Sequence, residues 1–230
     1  LAVDPAHRAL PQWLLYRPFP DGRRSGGGPD PRIAQMARDL RLRQPLFADL
    51  DAKHYVRAET YEECIMALGL TFNSLIFSIL LPVWGYIEWY LQQRNAAQKY
   101  REYRWLLQYL QSLDPDRRLA LKAPAHSGNL EPLLHAVPGA LVIQTHRDPV
   151  TCVASGCSLI STFNLAVSYE IDERRMAGLT LDLFERWAER NLAFRAAHPG
   201  AIYDVYYDAL VSDPVGIVRG IYAHYGLPWT

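Results

Sequence analysis

The stretch RRLALKAPAHSGNLEPLLHAVPGALVIQTH, residues 117–146, sets the architecture of the chain. RRLALK (117–122) and ALVIQTH (140–146) are short runs with strand character, each preceded by a turn signal. Between them NLEPLLHAV reads as a helix that stops before Pro138-Gly139. Strand, helix and strand within about thirty residues make a βαβ unit, which requires parallel strands and a crossover.

Outward from this unit the pattern continues. A helix is expected at 149–158, a strong one at 180–197, a third strand in AIYDVYY (201–207) and a last helix at 213–225 opened by Asp213-Pro214. Upstream, Asp4-Pro5 and Asp30-Pro31 carry the same cap-then-proline signal, giving expected helices over 4–13 and 31–40. A helix carrying TYEECIMALG should start near Glu59-Thr60, and the spacing of Tyr100, Tyr103, Leu106, Leu107 and Leu110 predicts a long one over 94–112. The fold class is therefore α/β: a central parallel sheet covered by helices, preceded by a helical insertion.

The 230 residues are half apolar, enough for one good core. Lys plus Arg and Asp plus Glu both number 24, so no basic footprint points to nucleic acid. Three cysteines, Cys64, Cys152 and Cys157, make neither a disulfide framework nor a zinc motif and fit a cytoplasmic location. Lys53, Lys99 and Lys122 are the only lysines in an arginine-biased chain. The segment 65–91 has the length of a membrane span, but Asn73, Pro82 and Glu88 interrupt it. Two buried or pocket-lining helices separated near Pro82 are the expectation, with no stable span.

Ligands of open parallel sheets sit at the carboxyl ends of strands. Two such ends carry unusual residues, LKAPAHSGN (121–129) and THRDPVTCVAS (145–155). Arg147 leaves a strand, Asp148-Pro149 starts a helix, and Ser155 lies on its second turn. A guanidinium fork there suits a phosphate, with the Ser155 hydroxyl beside it; the alternative is a structural pairing with Asp148 or another carboxylate. Lys122 and His126 could supply a cation and a proton acceptor, or equally a snorkelling lysine and a capping histidine.

The block LKAPAHSGNLEPLLHAVPGALVIQTHRDPVTCVASGCSL, residues 121–159, resembles the heart of the sulfotransferase superfamily, in particular the bacterial sulfotransferase-like family. The family pattern is LKSPxH, a helix, a proline-containing turn, a strand, then HRDP and a serine. YDVYYDALVSDPVGIVRGIYAHYGLP (203–228), LAVDPAHRALPQW (1–13) and PDPRIAQ (29–35) are similar to further family segments, so the resemblance covers nearly the whole chain.

It implies a three-layer P-loop-like fold, and transfer of a sulfuryl group from 3'-phosphoadenosine 5'-phosphosulfate, with no metal. By motif position Arg147 and Ser155 would hold the 3'-phosphate, and Tyr207 would lie against the adenine, with Tyr206 its rival. Lys122 would stabilise the leaving phosphate and His126 would be the base. A lysine and histidine four apart depart from the cytosolic sulfotransferases, where they are two apart. The apolar segment 65–91, with Phe72, Phe77, Trp84, Tyr86, Trp89 and Tyr90, would wall an apolar, aromatic or lipid-like hydroxyl acceptor, or else be plain core or a homodimer face.

The expected organisation is one incomplete domain over 1–230, with a helical lid or acceptor region over about 31–112 and a βαβ donor-binding core over about 117–226. Leu1 and the end at Pro228-Trp229-Thr230 both read as cut. The family's 5'-phosphosulfate loop, a glycine-serine/threonine turn after the first strand, would lie just before Leu1. DGRRSGGG (21–28) imitates such a loop, yet no buried strand feeds it and no lysine or Ser/Thr pair follows its glycines. Two rival functions are a catalytically inactive nucleotide-binding protein of the same fold and a small-molecule kinase, although GxxxxGK[ST] is missing. His7, His198 and His224 read as helix-surface or terminal residues, Glu62-Glu63 as first-turn charges, and Trp187 as core.

Overall fold

Three aspartate-proline pairs start three helices, each through the same contact. Asp30, Asp148 and Asp213 accept hydrogen bonds from the backbone N–H groups of Arg32, Thr151 and Gly216 at 3.0, 2.7 and 2.8 Å. Each proline occupies the first turn, where its missing N–H costs nothing. These caps frame a computed structural model that describes residues 4–20, 28–47, 54–92 and 96–229. The glycine-rich decoy lies, up to Gly27, outside the described residues.

In chain order the elements are β1 (His7–Arg8), α1 (Gln12–Tyr16), α2 (Pro31–Arg43), α3 (Ile65–Gly69), α4 (Ile76–Leu80), α5 (Trp84–Gln92) and α6 (Ala96–Ser112). Then come β2 (Arg118–Leu119), α7 (Leu130–Ala136), β3 (Val142–His146), α8 (Pro149–Val167), α9 (Glu173–Ala197), β4 (Ile202–Tyr206), α10 (Tyr207–Ser212) and α11 (Pro214–His224). Short 3-10 turns cover Gln44–Phe47 and Pro124–His126.

Among the described residues all four strands are parallel, in two pairs. β1 pairs with β2, and β3 pairs with β4 in the register Val142↔Ile202 through His146↔Tyr206, the crossover running through α8 and α9. The expected neighbours 117–122 and 140–146 are therefore not paired with each other. The N–H groups of Arg118 and Ala120 turn instead to Ala6 O and Arg8 O, both at 2.9 Å. The facing edges of β2 and β3 are separated by a cavity of about 890 Å³, walled by Leu119–Ala123 and Val142–Thr145.

The core lies on the β2 side. Leu15, Leu68, Tyr100, Tyr103 and Leu110, all at most 2% exposed, join α1, α3 and α6, and Leu183 of α9 closes the cluster. α6 presents its apolar stripe to this core at the predicted spacing.

Several expectations change for identifiable reasons. Residues 4–13 do not form a helix from Pro5. The Asp4 carboxylate takes the Ala6 N–H and a hydrogen bond from Tyr222, and His7 enters β1 buried rather than on a helix surface. TYEECIMALG is helical only from Ile65, because 57–64 is held by tertiary contacts: Gln12 N to Thr60 O, Glu62 N to Leu10 O and Cys64 N to Lys122 O. The helix expected at 149–158 runs on to Val167. Segment 65–91 breaks into α3, α4 and α5. Among the described residues α8 alone is long and apolar enough to cross a membrane by length and composition, with mean hydropathy 1.6.

Candidate active site

The cavity between the half-sheets gathers the residues singled out at the strand ends. Lys122, His126, Arg147 and Ser155 all line it, together with Tyr103, Leu107, Leu133 and Phe184. Tyr207 stands behind Arg147, whose guanidinium carbon lies 4.5 Å from the tyrosine ring centre. Between β2 and β3 the cavity walls are largely apolar, and Lys122, His126 and Arg147 follow the carboxyl ends of the two strands.

The His126 turn is rigid. Asn129 Nδ2 donates to Ala125 O at 3.0 Å, closing the Pro124–His126 turn, and Asn191 Nδ2 of α9 donates to Ser127 O at 3.1 Å. Gly128 is required because a Cβ there would stand 2.3 Å from Trp187 Cδ1. Trp187 thus packs on the core edge and also presses the turn into place.

Both nitrogens of the His126 ring are occupied. Tyr100 Oη lies 2.9 Å from Nδ1, and Cys64 Sγ lies 3.2 Å from Nε2. The rings of Tyr100 and Tyr103 flank it at 5.7 Å. Burial, with a smaller push from the Lys99 cation, lowers the imidazole to about 4, so it is neutral at neutral pH. Lys99 is itself lowered to about 8, by burial first and Arg190 second. Its Nζ sits 3.2 Å from Tyr90 Oη. A neutral imidazole has one lone pair, here aimed at Tyr100 or Cys64 according to tautomer.

Lys122 points a different way. Its ammonium pairs with the Glu63 carboxylate, while Glu62 Oε1 meets His54 Nε2 at 2.8 Å. Burial alone would raise Glu62, but hydrogen bonds from His54 and the Glu63 N–H hold it below the usual carboxylate range. His54 is raised, chiefly by the Glu62 hydrogen bond. Glu62 and Glu63 are therefore not first-turn helix charges: they stand before α3, and Glu63 pairs with Lys122. The adjacent pair of carboxylates was the signal available in the sequence, and nothing local tied it to Lys122, 59 residues on.

On the opposite wall Arg147 has no carboxylate within ion-pairing distance among the described residues. Asp148 caps α8 through Thr151 N and Oγ1, at 2.7 and 2.6 Å, and leaves the guanidinium to the cavity. Since Asp148 already takes the helix N–H, an anion here would rely on Arg147 and the exposed Ser155 hydroxyl more than on free amides. Tyr206 turns to the other side, stacked on His146 at 5.2 Å. There His146, Asp204, Arg195, Gln144 and Asn191 form one network, with Asp204 lowered to about 2, mainly by its Arg195 hydrogen bonds. Asn191 thereby ties β3 to the His126 turn.

Parallel strands covered by helices, with Lys122, His126, Arg147 and Ser155 bordering one cavity, define a protein of the α/β class. The Sulfotransferase family profile matches residues 6–230, and the chain belongs to that family. Its structure is similar to sulfotransferase STF1 from Mycobacterium tuberculosis H37Rv: 31% identity, TM-score 0.79, covering 100% of this chain and 63% of that one. It is also similar to sulfotransferase STF9 from Mycobacterium avium: 26% identity, TM-score 0.83, covering 99% and 59%. Among curated proteins, the omega-hydroxy-beta-dihydromenaquinone-9 sulfotransferases Stf3 of Mycobacterium bovis and Mycobacterium tuberculosis are 26% identical over 184 residues, 76% of this chain. The chain spans 46% of the length of those relatives.

Proposed function

We propose that this chain contributes the cavity of an enzyme that moves a sulfuryl group from 3'-phosphoadenosine 5'-phosphosulfate to the hydroxyl of an apolar or lipid-like acceptor. The observation that carries the reading is the convergence of Lys122, His126, Arg147 and Ser155 on one space beyond the ends of β2 and β3. The donor supplies the activated sulfuryl group. The chain's own residues fit it: an unpaired guanidinium over an aromatic ring on one wall, and an ammonium on the other. Arg147 and Ser155 hold the 3'-phosphate, Tyr207 offers its ring beside it, and Lys122 neutralises charge on the departing phosphate oxygen. Transfer of this kind needs alignment and charge stabilisation rather than a covalent enzyme intermediate.

A strand followed by a glycine-serine/threonine turn would fit the gap between β2 and β3, pairing parallel with both edges. Its turn would then open between Lys122 and Arg147.

The acceptor's proton needs a base, and two residues qualify. His126 is in the cavity wall, but a group lowered to about 4 is a weak base and must first release Tyr100 or Cys64. Glu63 is a second reading, favoured by its direct contact with Lys122, which lines the cavity. The lipid-like acceptor is supported by the substrate in the relatives' names, an omega-hydroxy-beta-dihydromenaquinone-9. A cytoplasmic location, supported by the free thiols of Cys64, Cys152 and Cys157, completes the proposal.

Transfer of radiolabelled sulfuryl groups to a long-chain alcohol by the full-length protein tests this. Lys122→Ala should lower kcat at least about a hundredfold, in the range of removing one transition-state charge contact. His126→Ala and Glu63→Gln should spare donor binding, and the variant that loses turnover identifies the base. Full turnover in Lys122→Ala refutes the assignment.

A further inference from the structure

Three cations border one small cavity with no acid to answer them. Between α5, α6 and α9 lies a space of about 20 Å³, room for one compact ion or a water or two. Lys99, Arg186 and Arg190 line it, beside Tyr90, Asn129 and Trp187, and none of its lining residues is acidic. None of them borders the cavity between β2 and β3 either.

Lys99 is the unusual member. It is 3% exposed, and a buried ammonium is costly unless it is paired. Its three N–H donors meet one hydrogen-bond acceptor among the described residues, Tyr90 Oη at 3.2 Å. The rings of Tyr90 and Tyr100, with centres 5.3 and 5.0 Å from Nζ, offset part of the charge. No carboxylate ion pair reaches it among the described residues, and the nearest charge at work on it, Arg190, repels. With its pKa lowered to about 8, by burial first, the group is still mostly ammonium at neutral pH.

The two arginines are four residues apart, so they share one face of α9. Arg190 has no ion pair among the described residues. Arg186 has only Asp182, at 3.5 Å, in an exposed pair of the kind that contributes little. A buried ammonium and two solvent-facing guanidinium groups thus border a space that an anion would balance.

We propose that this cavity binds a free inorganic oxyanion, sulfate or phosphate, through Lys99, Arg186 and Arg190. An oxyanion suits it better than a halide, because a guanidinium fork donates paired N–H groups that match two oxygens at once. A nucleotide is far too large for it. Asn129 closes the His126 turn and Trp187 packs against Gly128, so the ion lies against two side chains that hold that turn. The site uses none of the residues assigned to sulfuryl transfer and does not depend on that reading.

Isothermal titration of the full-length protein with sodium sulfate, in sodium chloride at constant ionic strength, tests this. Arg147→Ala is the background, because free sulfate also suits that guanidinium. In this background sulfate should bind saturably at one site, and inorganic phosphate should compete for it. Arg190→Gln should weaken binding at least about tenfold, and so should Lys99→Met, which keeps the unbranched stem and removes the charge. Arg190 is exposed, so Arg190→Gln decides the matter if Lys99→Met does not fold. No saturable binding over chloride overturns the proposal. So does sulfate binding that Arg190→Gln leaves unchanged, which would mean an adventitious ion only.

Discussion

Acidification should weaken the fold through one imidazole. In the folded chain His126 titrates at about 4, depressed by burial and secondarily by Lys99, against 6.5 for a free side chain. Between those values the unfolded chain holds a proton that the folded chain refuses, so stability falls as pH falls from about 6.5 and is untouched above it. The full shift corresponds to about 3 kcal/mol, reached below pH 4, and at pH 5 about 2 kcal/mol of it is already lost. His54 works in the opposite sense: its pKa is raised by Glu62, so its contribution is complete below about 6.5 and disappears above its folded value. A single pH curve mixes the two. The clean comparison is wild type against His126→Gln, which can still bond Tyr100 and Cys64 but does not titrate. Urea unfolding followed by tryptophan fluorescence at pH 7.5 and pH 5 should show wild type losing about 2 kcal/mol more than the variant. Parallel losses in the two proteins would refute the buried, neutral imidazole.

Two further substitutions probe the walls. Gly128→Ala forces a methyl group toward Trp187 Cδ1, which stands 2.3 Å from the Cβ position, so thermal unfolding should report a loss of about 1–3 kcal/mol. An unchanged melting temperature would mean that α9 does not press on the His126 turn. Arg147→Ala removes a charged partner for phosphate, and isothermal titration should show donor-product binding weakened at least about tenfold with stability unaffected.

Local signals were legible where local contacts decide the structure. The caps at Asp30, Asp148 and Asp213 start helices through their own side chains, and Gly139, at φ 82°, makes the turn expected after α7. β3 and β4 formed close to their expected bounds because both strands supply β-branched or aromatic residues, with Ile202 and Val205 buried. What stayed hidden is non-local. β1 is two residues long and exists only because Arg118 and Ala120 reach Ala6 and Arg8. Residues 59–64 have a helix-like pattern, and contacts to Leu10, Gln12 and Lys122 override it. The separation of β2 from β3 was equally invisible, since a strand–helix–strand pattern does not say whether a third strand intervenes. The placement of Glu63 beside Lys122 belongs with these: it follows from where β2 ends, and no spacing along the chain announces it.

The cavity carries the account, and its Arg147 wall carries the donor assignment. Isothermal titration of the protein with 3'-phosphoadenosine 5'-phosphate and with ADP, at the same pH and salt, tests this most directly. The two ligands share a ring system and a 5'-phosphate, and only the first has the 3'-phosphate that Arg147 and Ser155 would hold. The account predicts at least about tenfold tighter binding of the 3'-phosphorylated ligand, with the preference lost in Arg147→Ala. Equal affinity for the two would contradict it.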